Sequence, residues 1–298
     1  CIKESSKGKE TAKVGIQSLD ELIPFAQLFN SQIKSIEVKT GESTTRYEKE
    51  FLEEITIEEK KICKYKLETI INDESNKELN AYVINSTNYE ICCLTVNDSD
   101  GEIFHLLNEK YPRLYFTFPL IGSEELGIPF VINSTEFDPK VERNGVYLKT
   151  ENDKTDVGKN KQIIEGALTE ASVTFAKMAL LINIKGVFEL FNYMPSKDYT
   201  WVDHNWLSTL KSKLLTTLST IQCIPTNRNP KFESLEGLTI PFSAKKGLSI
   251  ELWCSFNSLN SYLLPSEKEL SNWIGVCQNH ALILEKEIFE IKPVSGIK

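Results

Sequence analysis

Few side chains in this sequence could take part in nucleophilic catalysis. The three histidines, His105, His204 and His280, accompany neither a Gly-x-Ser-x-Gly elbow nor a cysteine in a catalytic motif. Asp203, His204 and Cys223 could supply an acid, a base and a nucleophile. An enzyme with a cryptic site built on these three residues is the last of the three hypotheses considered for this sequence. The sequence therefore predicts no self-contained catalytic site.

Motifs for metal and nucleotide binding are also missing from the sequence. The seven cysteines form no pair with the spacing of zinc ligands, and we expect them to be reduced and mostly buried, as in cytosolic proteins. Asp98, Asp100 and Glu102 resemble part of a calcium loop, but the flanking helices and the glutamate at the twelfth position are lacking, so a hairpin turn is expected. No Gly-x-x-x-x-Gly-Lys-Ser/Thr phosphate loop occurs.

The composition is that of a globular protein with an acidic balance. The chain has 298 residues, of which 41% are hydrophobic, and 34 Lys and Arg against 42 Asp and Glu give a net charge of −8. Because nucleic-acid affinity depends on basic surfaces, nucleic acid is not an expected partner. No apolar run reaches the roughly 20 residues that span a bilayer, so we expect a cytoplasmic protein without membrane contact.

The elements that would position a site follow from hydrophobic periodicity and turn residues. Helices are predicted at 19–29, 163–182 and 205–218, with another opening at Pro265. Runs of β-branched and aromatic residues between turn signals predict strands at 33–39, 44–51, 62–71, 79–85, 89–96, 103–107, 113–119, 221–225, 238–242 and 249–256.

The fold class predicted from this order is α+β. We expect an antiparallel sheet with helices on one face, followed by a mainly helical region with a small sheet. A polar stretch near Thr150 separates the two parts, so domains are predicted at residues 1–155 and 156–298, which suits a prior of roughly 150 residues per domain. Because the sequence opens on Cys1 and a polar run, we also expect it to be a portion of a longer protein.

The segment 112–148 contains a set of ordered motifs. They are Phe118-Pro-Leu-Ile-Gly122, Gly127-Ile-Pro-Phe-Val-Ile-Asn133 and Phe137-Asp-Pro139 running into Glu142-Arg143-Asn-Gly-Val146. With these motifs the segment resembles the bacterial relatives of sacsin, ATP-binding proteins of the gyrase, heat-shock chaperone, histidine-kinase and mismatch-repair superfamily. Weaker similarity to the same family occurs, in the same order, at residues 22–30 and in the Ile-Pro pairs at 224–225 and 240–241.

The resemblance implies a position downstream of an ATPase. In that family the ATP site is built from a helix carrying Glu and Asn and from Asp-x-Gly-x-Gly boxes, and this sequence contains neither. The chain is therefore similar to the transducer, or middle, domain and the helical C-terminal region, and it should not hydrolyse ATP alone. ATP and Mg²⁺ are implied for the full-length parent, with an N-terminal ATPase module as the partner in cis. A protein client and a homodimer are further partners compatible with the resemblance.

The resemblance also assigns a role to one basic residue. Transducer domains of these ATPases extend such a residue from a loop to the terminal phosphate, and Arg143 is the candidate, with Lys140 as the fallback and Asn144 in the same loop. A guanidinium suits the task because it can bridge two phosphate oxygens. The opposing interpretation is a surface ion pair between Arg143 and Glu142 or another nearby carboxylate.

A second class of function is compatible with the same sequence. The sheet and helices could form a stand-alone module that binds a protein or a nucleic acid without any dependence on ATP. The residues encoded before Cys1 distinguish the two hypotheses, because the ATPase reading requires the Glu/Asn helix and the glycine boxes there.

Overall fold

The structure is a computed structural model that describes residues 18–41, 43–149, 156–228, 231–240 and 263–280. The described helices are α1 (Leu19–Leu28), α2 (Val157–Ile182), α3 (His204–Ser219) and α4 (Leu270–Asn279), with a 3-10 helix at Val187–Phe191. The described strands are β1 (Ser35–Thr40), β2 (Ser43–Ile57), β3 (Lys60–Ile71), β4 (Glu74–Asn85), β5 (Glu90–Asp98), β6 (Gly101–His105), β7 (Leu114–Phe116), β8 (Phe118–Pro119), β9 (Val131–Asn133), β10 (Ile224–Pro225) and β11 (Phe232–Glu233).

Within the described residues, nine strands form one sheet. Strands β1 to β5 pair in chain order as an antiparallel meander, and the sheet continues from β5 through β9 and β7 to β8. Strand β6 pairs with the second half of β5. Strands β7 and β9, both within the segment 112–148, run parallel and lie side by side.

Two-residue turns close the longest hairpins of the meander. Glu58 and Glu59, with φ of 45° and 71°, join β2 to β3, and Asn72 and Asp73, with φ of 49° and 65°, join β3 to β4. Left-handed backbone at both central positions is the turn geometry that matches the twist of paired strands. These turns set the register of the strand ends beside them, and one bulge in each hairpin, at 51–53 of β2 and at 69–70 of β3, shifts the pairing farther along.

Alternating side chains of β4 supply two hydrophobic clusters, one on each face of the sheet. Ala81 packs in a cluster with Phe25 of α1, whereas Tyr82 packs in a larger cluster with Phe175 of α2. Successive strand residues point to opposite faces, so α1 and α2 cover different faces. We expected helices on one face of the sheet only. The structure also has a short helix, α1, on the other face.

Side-chain caps fix where the two longer helices begin. Asp156 accepts a hydrogen bond from the backbone N–H of Lys159 at 2.9 Å at the start of α2. Asp203 accepts from the backbone N–H of Trp206 at 3.0 Å at the start of α3. Such caps satisfy backbone donors that would otherwise lack partners. In the described part of the chain, no helix is long and apolar enough to cross a bilayer.

The larger cluster connects the sheet to the helical region. It runs from Ile62 and Ile84 of the sheet through Phe175 to Trp273 of α4. The segments before and after residue 155 therefore share hydrophobic packing. The division into domains at 1–155 and 156–298 stays a prediction.

The α+β class and the small second sheet, formed by β10 and β11, are confirmed. The single strand predicted at 113–119 is wrong, because the chain reverses at Thr117, with φ of 62°, and makes a hairpin of β7 and β8. The strand predicted at 238–242 is wrong over the residues that the structure describes, because residues 238–240 form no strand. The strand predicted at 249–256 lies outside the described residues. Helix α4 begins at Leu270, later than the expected start at Pro265.

Candidate functional site

The loop that carries Arg143 lies between β9 and α2 and closes at its own base. Pro139 and Val146 form an antiparallel bridge, and the backbone N–H of Lys140 donates to the carbonyl of Gly145 at 2.9 Å. The backbone N–H of Arg143 donates to the carbonyl of Lys140 at 2.8 Å, which makes residues 140–143 a tight turn. Residues 138–147 are called the arginine loop below.

Asn160 in α2 holds both ends of the arginine loop. Its side chain is buried, with 0% of the residue exposed. Its Oδ1 accepts from the backbone N–H of Asp138 at 2.8 Å, and its Nδ2 donates to the carbonyls of Asp138 and Tyr147, each at 3.0 Å. One buried amide therefore satisfies three backbone groups where the loop leaves and rejoins the fold.

Two glycines allow the arginine loop to pack closely on its neighbours. Gly145 lies against the ring of Trp201, where an added Cβ would be 2.5 Å from a ring carbon. Gly122, in the loop after β8, has φ of 113°, and a Cβ there would be 2.7 Å from the carbonyl oxygen of Asn144. The arginine loop is thus held between Trp201 and the loop at residues 120–127.

The side chain of Arg143 is exposed to solvent on the arginine loop. Its backbone is left-handed, with φ of 53°, and its guanidinium carbon lies 5.5 Å from the centre of the Phe116 ring. Among the described residues, no carboxylate lies within ion-pair distance of Arg143, since Glu136 binds Lys159 at 2.6 Å instead. The surface ion pair is therefore not formed with the part of the chain that the structure describes.

The other two residues predicted for this site lie in the same turn. Lys140 is half-buried and closes the turn through its backbone, and Asn144 is exposed beside Arg143 with its carbonyl packed on Gly122. The structure thus brings Lys140, Arg143 and Asn144 together. Asn133 lies in β9, outside the arginine loop, and its Oδ1 accepts from the backbone N–H of Thr117 at 2.8 Å.

Exposed apolar side chains flank the arginine loop. Val141 in the turn itself is 87% exposed, and Phe118 and Ile121 are each 51% exposed. Phe118 is the antiparallel pairing partner of Phe116, whose ring contacts the guanidinium, and Ile121 precedes the glycine that touches the loop. We call Phe118, Ile121 and Val141 the apolar rim. Grouped apolar exposure of this kind is typical of binding surfaces.

The acid, base and nucleophile of the cryptic-enzyme hypothesis are engaged elsewhere. The carboxylate of Asp203 caps α3 and binds Lys161 at 2.6 Å. The Nδ1 of His204 lies 3.0 Å from the Oγ of Ser196. Burial raises the pKa of the Cys223 thiol to about 12, which keeps it protonated and unreactive at neutral pH. The structure thus shows Asp203 and His204 with other partners and Cys223 as a buried thiol.

Metal ligands are not grouped in the described ranges, where no set of three or more His, Cys, Asp or Glu side chains is placed to bind an ion. Asp98 and Gly101 pair across the turn between β5 and β6, so the hairpin turn expected there is confirmed. Cys92, Cys93, Cys223 and Cys277 are buried, which confirms the expectation of mostly buried thiols for the cysteines that the structure describes.

A cleft beside α3 was missed by the sequence analysis. It has a volume of about 480 Å³ and is lined by Ser196, His204, Lys211 and His280, among others. Its signal in the sequence is a lysine within the apolar stripe of α3, where Leu207, Lys211 and Leu214 recur at helical spacing.

Comparisons with known proteins assign neither family nor function. No protein-family model matches this sequence, no curated protein is significantly similar to it, and no solved structure matches its fold. The resemblance to the bacterial relatives of sacsin stays a prediction, carried by the residues of the segment 112–148.

Proposed function

We propose that this chain is the transducer, or middle, and C-terminal portion of a sacsin-like, chaperone-type ATPase. In this role it couples ATP binding in an N-terminal module to a conformational change. The single observation that supports the proposal most directly is the exposed guanidinium of Arg143, presented on a turn that Asn160 and Trp201 hold in place. Coupling of this kind would act on a protein client or on a second copy of the chain.

The chemistry of Arg143 fits contact with a phosphate. Its guanidinium is always charged and offers paired N–H donors that match two phosphate oxygens. The guanidinium carbon lies 5.5 Å from the centre of the Phe116 ring, and this cation–π contact uses none of those donors. ATP and Mg²⁺ would be held by the ATPase module, and charge from Arg143 would stabilise the transferring phosphoryl.

The apolar rim supplies a reason for the ATPase module to dock here. Phe118, Ile121 and Val141 expose apolar surface around the arginine loop, and burial of such surface favours association. A docked module would also exclude water around Arg143, where its charge would act more strongly on a phosphate than in bulk solvent. The ATP-bound state would thereby gain a contact that the open state lacks, as coupling requires.

Substitution of Arg143 by alanine in the protein that contains the ATPase module tests this proposal. We expect kcat for ATP hydrolysis to fall roughly 10²–10³-fold, as when a charge donor is removed from a transition state, with little change in nucleotide affinity. Arg143→Lys should retain part of the activity, because the charge stays but the paired donors are lost.

Lys39→Ala is the matched control, since Lys39 is an exposed basic residue in β1. It should leave both turnover and nucleotide affinity unchanged. Turnover that is equal in the Arg143→Ala and wild-type proteins would show that the arginine loop has no part in hydrolysis.

The alternative proposal is a stand-alone interaction module, and the apolar rim is the observation that favours it. A module of this class would bind a protein through Phe118, Ile121 and Val141 without any need for ATP. Partner binding that is unaffected by ATP and by Arg143→Ala but lost in Phe118→Ser would support it. The absence of the Glu/Asn helix and glycine boxes in the coding sequence before Cys1 would end the ATPase proposal.

A further inference from the structure

The cleft beside α3 lies apart from the arginine loop and has its own polar floor. One face of α3 forms its side, with Leu207, Ser208 and Lys211 directed to it, and the segment 193–196 and the end of α4 complete the lining. A volume of about 480 Å³ lies within the range of roughly 300–1,000 Å³ that is usual for small-molecule sites.

Lys211 is buried in this cleft, with 6% of the residue exposed. Its Nζ donates to the carbonyl of Leu126 at 2.6 Å and to the carbonyl of Met194 at 2.8 Å. The close approach depends on Gly127, where an added Cβ would lie 2.1 Å from the Met194 carbonyl oxygen and 3.0 Å from Nζ. The ammonium is therefore held in a fixed position by backbone from two separate segments.

The charge of Lys211 has no counter-ion within the described residues. No Asp or Glu of the described ranges lies within ion-pair distance of Nζ, and the two carbonyl groups that accept from it are neutral. An ammonium has three N–H donors, so one donor has no partner among the described residues, and Lys211 lines the cleft. A buried charge without a partner of opposite sign is costly, and a bound anion would remove that cost.

We propose that this cleft is a binding site for a small organic carboxylate. One carboxylate oxygen accepts the remaining N–H of Lys211, and the apolar body of the ligand packs against Met194, Leu207 and Leu215. The site goes beyond the proposed coupling function and depends on none of its residues.

The lining favours a carboxylate over a phosphate. Phosphate sites usually combine several charged donors, whereas the described lining offers one ammonium, beside polar side chains such as Ser208 and Asn279 and apolar groups that include Leu207 and Leu215. The imidazoles are already engaged, since the Nε2 of His280 lies 3.0 Å from the Phe191 carbonyl oxygen and the Nδ1 of His204 lies 3.0 Å from the Oγ of Ser196. One charged contact within an apolar wall suits a monoanion with a hydrophobic body.

Ligand binding is expected to change the protonation of Lys211. Burial lowers the pKa of its ammonium to about 7, so at neutral pH only part of the population carries the charge and the third N–H that the site needs. A bound carboxylate would raise that pKa again, because an opposite charge in contact favours the ammonium form.

Methionine NMR offers a direct test, because the chain has two methionines and they differ in place. Met194 lines the cleft and is 39% exposed, whereas Met178 is 0% exposed in the core. With methyl-labelled methionine, titration with sodium benzoate should shift the Met194 signal and leave that of Met178 unchanged. We expect a Kd on the order of 1 mM for so small a probe.

Benzamide and inorganic phosphate are the ligand controls, with ionic strength held constant by NaCl. Benzamide has the shape of benzoate without its charge and should bind at least about tenfold more weakly, the factor that corresponds to one lost charged contact. Equal binding of benzoate and benzamide would overturn the proposal. Phosphate that shifts Met194 at lower concentration than benzoate would overturn the assignment to carboxylates.

Variants in α3 complete the test. Lys211→Leu should weaken benzoate binding at least about tenfold, whereas Lys213→Leu, at an exposed position of the same helix outside this cleft, should leave it unchanged. If Lys211→Leu fails to fold, Ser208→Phe fills the mouth of the cleft from an exposed position and should abolish the Met194 shift. Unchanged benzoate affinity in either folded variant would refute the site.

Discussion

Replacement of Gly145 by alanine should destabilise the protein far more than an ordinary glycine substitution. An added Cβ would lie 2.5, 2.6 and 2.8 Å from three carbons of the Trp201 ring. The ring cannot withdraw easily, because Trp201 is 4% exposed and stacks on Tyr199 with ring centres 5.4 Å apart. The φ of 155° is also a conformation that side-chain-bearing residues rarely adopt.

The two effects together give the expected magnitude. Overpacking of a filled core costs about 1–3 kcal/mol, and the backbone conformation costs about 1–2 kcal/mol for a residue with a side chain. We therefore expect Gly145→Ala to lower the free energy of unfolding by about 2–5 kcal/mol. Gly41→Ala is the matched control, because Gly41 also has a positive φ, 57°, but an added Cβ would meet nothing within 4 Å. Gly41→Ala should lower the free energy of unfolding by about 1–2 kcal/mol, the cost of the backbone conformation without overpacking.

Urea denaturation followed by tryptophan fluorescence measures both variants. In a Trp201→Leu background, where the ring is missing, Gly145→Ala should lose most of its packing cost and approach the cost of Gly41→Ala. The difference between the two backgrounds isolates the contact between residues 145 and 201. If Gly145→Ala and Gly41→Ala have the same cost in the wild-type background, the close packing of the arginine loop on Trp201 is wrong.

Two further predictions concern buried polar groups. Asn160→Ala should lower the free energy of unfolding by about 2–4 kcal/mol, because the backbone groups of Asp138 and Tyr147 lose their partner; a loss below about 1 kcal/mol in urea denaturation would contradict this. Burial raises the pKa of Glu189 from 4.5 to about 7. Since the folded state then binds the proton more tightly than the unfolded state, stability should fall as the pH rises from 4.5 to 7. Glu189→Gln should flatten this part of the pH profile, and an unchanged slope in denaturation at pH 5 to 8 would exclude the effect.

The sequence predicted the meander because its strands alternate and most of its turns carry typical residues. Asn72 and Asp73 tolerate left-handed backbone, so the turn between β3 and β4 could be placed. Glu58 and Glu59 adopt the same backbone without any such signal, and strand β2 therefore runs further than expected, to Ile57. Pairing with β3 along the whole hairpin overrides the local preference of two glutamates.

The arginine loop was predicted in part, through family resemblance and not through local physics. The segment that contains Arg143 was identified. The arginine loop is held in place by Asn160 and Trp201, which are distant in the sequence, and no local pattern predicts their contacts with it. The glycine at 145 is informative only once the ring beside it is known. Local patterns indicate which residues form an element, whereas contacts between distant segments decide which of them are held in place.

The contacts of Lys211 are a second example of contacts between distant segments that local sequence patterns do not predict. By helical spacing Lys211 falls within the apolar stripe formed by Leu207, Leu210 and Leu214, and the sequence predicted a helix at 205–218 without assigning this lysine a role. The partners that make its burial tolerable are backbone carbonyls at Leu126 and Met194, and any residue type could have supplied them. A lysine in an apolar stripe is costly unless something accepts its protons. Such a lysine is therefore a signal in its own right, and it indicates a buried charge whose partners must be sought elsewhere in the chain or in a ligand.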